Sequence, residues 1–205
     1  PDSRLIGMGD LFLDRNCFLK HQWIDAVLYD FRSADILEYL CGNVHAVSNM
    51  LMRHQGNVVE KKLAKNQGPK TFRSLLPRHE LFLEHGYSFP FAKQLPFITV
   101  LTDFGCPFQC DFCSRAVFGH DFRTRSAENI VDEMESVRAL GYERIWFSDD
   151  CFTLQKKRLR NICDEISHRK LDINWECLSR VDAIDSHTAA SMKNAGCVRV
   201  FFGLE

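Results

Sequence analysis

From Phe97 onward, short apolar runs alternate with helical patterns, and that alternation leaves few folds open. Phe97-Ile-Thr-Val-Leu101 reads as a strand. Ser126 caps a helix running to Leu140, with Ile130, Val131, Met134 and Val137 on its inner face and Gly141 as its stop. Arg144-Ile-Trp-Phe147 is a second strand, Lys156 to Ser167 a second helix, and Ile173 to Leu178 a third strand. A third helix, Ser186 to Ala195, is closed by Gly196 and followed by a fourth strand, Val198-Arg-Val-Phe-Phe202. Strands and helices alternating at this spacing predict right-handed parallel βαβ units. In such arrays functional groups gather at the C-terminal ends of the strands. Those ends lead here to Cys106, Cys110 and Cys113, to Asp149 and Asp150, to Ser179 and Arg180, and to Gly203 and Glu205.

The first part of the chain has a different texture. Arg4 to Gly9 reads as a buried strand, Leu11 to His21 as a helix and Ile24 to Tyr29 as another strand. Ser33 is placed to cap a helix over Ala34 to Leu40, with Ile36, Leu37 and Leu40 inward and Gly42 closing it. Two further runs, Val47 to Met52 and Val58 to Lys61, flank a hairpin turn at His54-Gln-Gly-Asn57. Lys61 to Leu76 is polar and basic around Gly68-Pro69, and Pro77, Pro90 and Pro96 follow. The expected organisation is an α/β part over residues 1–60, a linker over 61–95 and a regular βα part over 96–205.

Cys106-Pro-Phe-Gln-Cys110-Asp-Phe-Cys113 places three thiols on the loop after the first strand of that βα part. A four-iron cluster usually takes four thiolates, so a three-cysteine loop leaves one iron open to a substrate or cosubstrate. The other readings are a structural zinc site, with His120 as the nearest extra ligand, or a non-catalytic electron-transfer module. The chain has 9 cysteines, an odd number, and no secretory signal, so a disulfide framework is not expected. Cys17, Cys41, Cys163 and Cys197 fall in apolar-periodic segments as small core residues. A formal net charge of -1 gives no bulk attraction to nucleic acid, and no apolar stretch is long enough to span a membrane.

Four stretches resemble radical S-adenosylmethionine (SAM) enzymes: Gly105-Cys-Pro-Phe-Gln-Cys-Asp-Phe-Cys113, Phe147-Ser-Asp-Asp-Cys-Phe152, Trp175-Glu-Cys-Leu-Ser-Arg180 and Gly196-Cys-Val-Arg-Val-Phe-Phe-Gly-Leu-Glu205. The resemblance covers residues 96–205 and points to the branch with an N-terminal cobalamin-binding domain. Over residues 1–60 it rests on the strand–helix rhythm and on Ile24-Asp-Ala-Val-Leu-Tyr-Asp30. The D-x-H-x-x-G motif of histidine-ligating cobalamin domains does not occur, and many relatives bind cobalamin without it.

This resemblance implies an α/β fold. Its second part is a partial (β/α) radical SAM barrel of about four βα units, preceded by the C-terminal part of a Rossmann-like cobalamin-binding domain. The chain begins with Pro1 rather than Met, and it reads as an internal fragment that is inactive in isolation. The resemblance further implies a cytoplasmic, oxygen-sensitive enzyme whose cysteines Cys106, Cys110 and Cys113 hold a [4Fe–4S] cluster. Reductive cleavage of SAM there gives methionine and a 5′-deoxyadenosyl radical. The implied reaction is a cobalamin-dependent methylation, rearrangement or cyclisation of a small molecule, with electrons from a donor such as flavodoxin or ferredoxin. A cobalamin-free relative such as a methylthiotransferase is the alternative within the family. Phe112 is expected beside the nucleoside, and Asp149 or Asp150 at the ammonium of SAM, unless Asp150 caps the following helix. Arg180 is expected at the methionyl carboxylate, unless it pairs with Asp182 or Asp185. Glu205 is expected at the ribose or the ammonium.

Overall fold

The computed structural model describes residues 3–8, 15–29, 35–61, 70–83, 97–113 and 122–203. The chain divides into two units, residues 1–67 and 68–205. In the first unit, β1 (Ile6–Met8), β2 (Ala26–Leu28), β3 (Met50–His54) and β4 (Asn57–Lys61) form one sheet in that order. β1 and β2 run parallel, with α1 (Arg15–Lys20) between them in sequence; β3 and β4 are antiparallel additions. The hairpin between β3 and β4 turns on Gln55 (φ 48°) and Gly56 (φ 78°), the pair of positive angles that a tight hairpin requires.

Successive strand residues face opposite sides, so each face of this sheet has its own core. Val27 and Leu51 pack with Phe18 of α1 and Ile24. Ala26, Leu28, Met50 and Met52 pack with Val47 and with Tyr39 of α2 (Asp35–Leu40). The expected inner face of α2 is only partly right. Leu37 and Leu40 are 61% and 51% exposed, and Cys41 is exposed, whereas Asp35 and Tyr39 are buried. Asp35 turns inward because its carboxylate accepts from the Ser48 N–H and hydroxyl. Ser33 and residues 9–14 lie outside the described residues.

In the second unit, β6 (Phe97–Val100), β9 (Arg144–Phe147), β10 (Asn174–Ser179) and β11 (Cys197–Phe202) are neighbours in chain order, all parallel. A doubly wound sheet would reverse its order at some point. This one does not, and α3 (Ala127–Ala139), α4 (Lys156–His168) and α5 (Ser186–Asn194) contribute to one core against one face, as staves of a barrel do. That core holds Ile98, Val100, Ile145, Phe147, Trp175 and Cys177 from the strands, with Ile130, Met134, Leu159, Ile162 and Met192 from the helices. Phe147 and Phe152 stack with ring centres 4.4 Å apart, and Trp175 meets both edge-on. The Trp175 indole N–H donates to the Ala195 carbonyl at 2.7 Å, so the largest core side chain leaves no polar atom unpaired.

The expected linker over 61–95 is not one connection. Lys61 belongs to β4, and β5 (Thr71–Phe72) pairs with β8 (Arg123–Arg125), which also pairs with β7 (Asp103–Phe104). The segment after β5 is fixed by side chains of α3. Asn129 Oδ1 accepts from the Ser74 N–H at 3.0 Å, and Asn129 Nδ2 donates to the Ser74 carbonyl. His79, in a short 3-10 turn (His79–Phe82), reaches Glu133 at 2.7 Å; Glu133 also takes a hydrogen bond from Arg125. Arg125 is buried and donates to Leu101 O at 2.9 Å, so it serves the fold and not a solvated loop.

Among the described residues no helix is long and apolar enough to cross a membrane. Gly196 (φ +92°) ends α5 so tightly that a Cβ would lie 2.5 Å from the Ile173 carbonyl oxygen. Gly196→Ala should therefore destabilise the second unit by ~2 kcal/mol or more, read from urea unfolding midpoints; a midpoint within experimental error of wild type would contradict this packing.

Candidate functional site

β6 ends at Val100, and the chain turns through Thr102, the short strand β7 and Gly105 (φ +79°) into the cysteines. Phe104 stacks on Phe72, with ring centres 5.6 Å apart, which holds this turn against β5. None of the three cysteines is in a disulfide; Cys106 and Cys110 are half-buried and Cys113 is exposed. The Cys113 N–H donates to the Cys110 carbonyl at 3.1 Å, folding the last cysteines into a turn. The Phe108 N–H donates to the Cys106 sulfur, opposing a push upward on that thiol by burial and by the nearby Asp150, Cys151 and Cys110.

Among the described residues no three His, Cys, Asp or Glu side chains converge as a site for one ion. A single zinc would draw its sulfurs to about 2.3 Å from one centre. A cubic cluster takes each thiolate at a separate corner. Each of the three cysteines brings one thiol to the same short loop, the donor set that a cluster with one open corner would take. His120 and Glu205 lie outside the described residues.

The root of the loop is fixed by a buried polar group. Asp149, fully buried at the end of β9, accepts from the Thr102 N–H at 2.6 Å, the Asp103 N–H at 3.2 Å and the Thr102 hydroxyl. Arg158, on α4, donates to the Thr102 carbonyl at 3.0 Å and reaches Asp103 at 3.4 Å and Asp149 at 4.0 Å. Two carboxylates thus face one guanidinium in a site shielded from water. Burial raises both carboxyls, and Asp103, pushed further by the charge of Asp149, rises to about 9. The three donors to Asp149 oppose the effect of burial on it, and the buried pair as a whole holds a proton at neutral pH.

The expected cofactor-side pair at the second strand end therefore splits. The carboxylate of Asp149 is turned to the base of the cysteine loop, while Asp150 is exposed and close enough to act on Cys106. Asp150 does not cap the next helix: α4 starts at Lys156 behind Gln155. Arg180 sends its Nε and Nη2 to Asp182 at 3.0 and 2.8 Å, and its guanidinium lies 4.2 Å from the centre of the Phe108 ring. Phe112 is 67% exposed and packs in no core cluster. Ser179 is buried and shares a hydrogen bond with Thr153.

Thr102, Asp103, Phe108 and Arg158 escaped the sequence reading. An arginine beside Leu159 on the inward side of α4 was the one available signal. The sign of the pH dependence follows from Asp103. Its carboxyl titrates near 3.8 when unfolded and near 9 when folded, so the unfolded state sheds a proton that the folded state keeps. Stability should decline as pH rises across that interval, by at most about 1.4 kcal/mol per pH unit from this group. Asp103→Asn should flatten the decline, measured as urea midpoints at mildly acidic and mildly alkaline pH; an unaltered slope would refute the shared proton.

Comparison with known proteins agrees with this geometry. Residues 101–205 match the family described as the Radical SAM superfamily. The chain is 39% identical over 132 residues to a protein of Pyrococcus horikoshii described as an uncharacterized methyltransferase, covering 63% of this chain and 28% of that protein. It is 33% identical over 104 residues to the anaerobic magnesium-protoporphyrin IX monomethyl ester cyclase of Rubrivivax gelatinosus, covering 49% of this chain and 19% of the cyclase. The chain thus spans under a third of the length of either relative. Among solved structures, the radical SAM methyltransferase TsrM from Kitasatospora setae, with cobalamin and a [4Fe–4S] cluster bound, superposes with a TM-score of 0.73 at 19% identity, over 100% of this chain and 43% of TsrM. The cobalamin-dependent SAM radical enzyme OxsB gives 0.69 at 18% identity, over 98% of this chain and 31% of OxsB. At these identities the likeness to both structures is one of fold. With its family match reaching across the cysteine loop and the three parallel strands β9, β10 and β11 that follow it, this chain belongs to the radical SAM superfamily.

Proposed function

We propose that this chain carries the SAM-cleaving half of a cobalamin-dependent radical SAM enzyme that methylates, rearranges or cyclises a small molecule. The observation that carries the reading is the set of three cysteines outside any disulfide, Cys106, Cys110 and Cys113, on the first βα turn of a parallel sheet. These thiols are the residues that would hold a [4Fe–4S] cluster. When bound, the cluster supplies an open iron for the amino and carboxylate groups of SAM and a low-potential electron that breaks its carbon–sulfur bond, releasing a 5′-deoxyadenosyl radical.

The chain's own residues prepare that chemistry. Asp149, Thr102 and Arg158 fix the start of the loop. Asp150, exposed beside Cys106, is placed to accept hydrogen bonds from the ammonium of SAM. Phe112 offers an open ring to the nucleoside. Arg180 would reach the methionyl carboxylate only by exchanging Asp182 for it, and Glu205 is assigned to the ribose by family resemblance alone. Nine cysteines with no disulfide among them suit a reducing, cytoplasmic setting with a flavodoxin or ferredoxin as donor.

The cobalamin half of the reading rests on the first unit. Ligands of such sheets bind beyond the carboxyl ends of parallel strands. Here β1 and β2 supply two such ends; Tyr29 after β2 bonds to Asn49 and Glu60, and residues 9–14 and 30–34 lie outside the described set. No residue is therefore assigned to cobalamin. Support comes from the relatives described as a methyltransferase and a cyclase, and from the two cobalamin-bound neighbours of like fold.

Anaerobic reconstitution of the full-length protein should give about four irons with matching sulfide on this loop, and reduction with SAM should release 5′-deoxyadenosine. Cys110→Ala should abolish that release. Zinc alone on the protein, or full activity in the variant, would overturn the proposal.

A further inference from the structure

Phe108 is the residue through which the second unit handles its first cysteine. Its backbone N–H donates to the Cys106 sulfur. Its ring, 37% exposed, carries the Arg180 guanidinium at 4.2 Å. That guanidinium is held in a two-point fork by Asp182, and the 3-10 turn Val181–Ala183 keeps the two residues close. Arg180 also acts electrostatically on Cys110 and Cys151, so its charge sits beside the loop. A guanidinium lying over a ring and forked onto a carboxylate is held from two sides, where a free surface arginine is held from none.

We propose that Arg180, gripped by Asp182 and stacked on Phe108, is a positioning residue that fixes the Cys106–Cys110 segment and sets the reduction potential of the cluster these cysteines hold. This rests on the cluster assignment of the preceding subsection. Reduction adds negative charge to a cluster, and N–H bonds to sulfur and nearby cations stabilise the reduced form. Arg180 supplies the cation directly and the N–H bond through Phe108. Asp182 screens part of the charge while holding the fork in place.

The test is an EPR-monitored redox titration of the reconstituted full-length protein without SAM. Arg180→Ala should move the potential in the negative direction with iron content unchanged, and Arg180→Lys should recover only part of the shift. Phe108→Leu keeps every charge but removes the ring, and it should shift the potential the same way as Arg180→Ala. The double variant should shift no further than Arg180→Ala alone. A potential unmoved by either single variant, with only SAM affinity reduced in Arg180→Ala, would make Arg180 a direct ligand of SAM and overturn the inference alone. Should Arg180→Ala fail to take up iron, the Phe108→Leu titration decides. Wild-type protein without an iron–sulfur signal would defeat the cluster assignment as well.

Discussion

One buried carboxylate ties the second unit together. Asp149 lies two residues beyond β9, yet its three hydrogen bonds go to Thr102 and Asp103, which follow the neighbouring strand β6. Two N–H groups that have left the β ladder would otherwise be buried without partners. Arg158 completes the arrangement from α4, offsetting the charge of Asp149 and donating to the Thr102 carbonyl. The cysteine loop thus begins from a backbone held by a strand on one side and a helix on the other. A loop anchored at its root can present three thiols in a defined place without their being buried.

The two faces of the parallel sheet divide the work. The helix-covered face is apolar and aromatic, with Trp175, Phe147 and Phe152 interlocked. The opposite face of the same strands carries Arg144 paired with Glu176 at 2.7 Å, and Trp146 edge-on to Phe201. Such a mixture of charge and ring surface does not suit a dry core. It suits the inward side of a barrel, where substrates are met, and it lies on strands whose C-terminal ends carry the cysteine loop, Asp150 and Arg180.

Much of this was legible in the sequence because it depends on period and punctuation. Ser126, Gly141 and Gly196 mark helix limits by their own chemistry, and the structure places them there. The buried stripe of α4 follows from Leu159, Ile162, Cys163 and Ile166. The short strands β5, β7 and β8 were invisible, since two or three residues carry no period and their pairing is set by side chains far away in sequence, such as Asn129 and Glu133. In α2 the apolar positions misled: Asp35 is turned inward to the Ser48 N–H and hydroxyl, and Leu37 and Leu40 are left on the exposed face. At the site, residue type and spacing revealed the thiols, whereas the division of labour between Asp149 and Asp150 depends on which carboxylate the fold can bury with donors.

The vacant corner implied by a three-thiol loop is open to direct inspection by Mössbauer spectroscopy of the iron-loaded full-length protein, recorded before and after adding SAM. A cluster held by Cys106, Cys110 and Cys113 should show one iron distinct from the others, and that iron alone should change on adding SAM. Irons that are all alike and indifferent to SAM would contradict it.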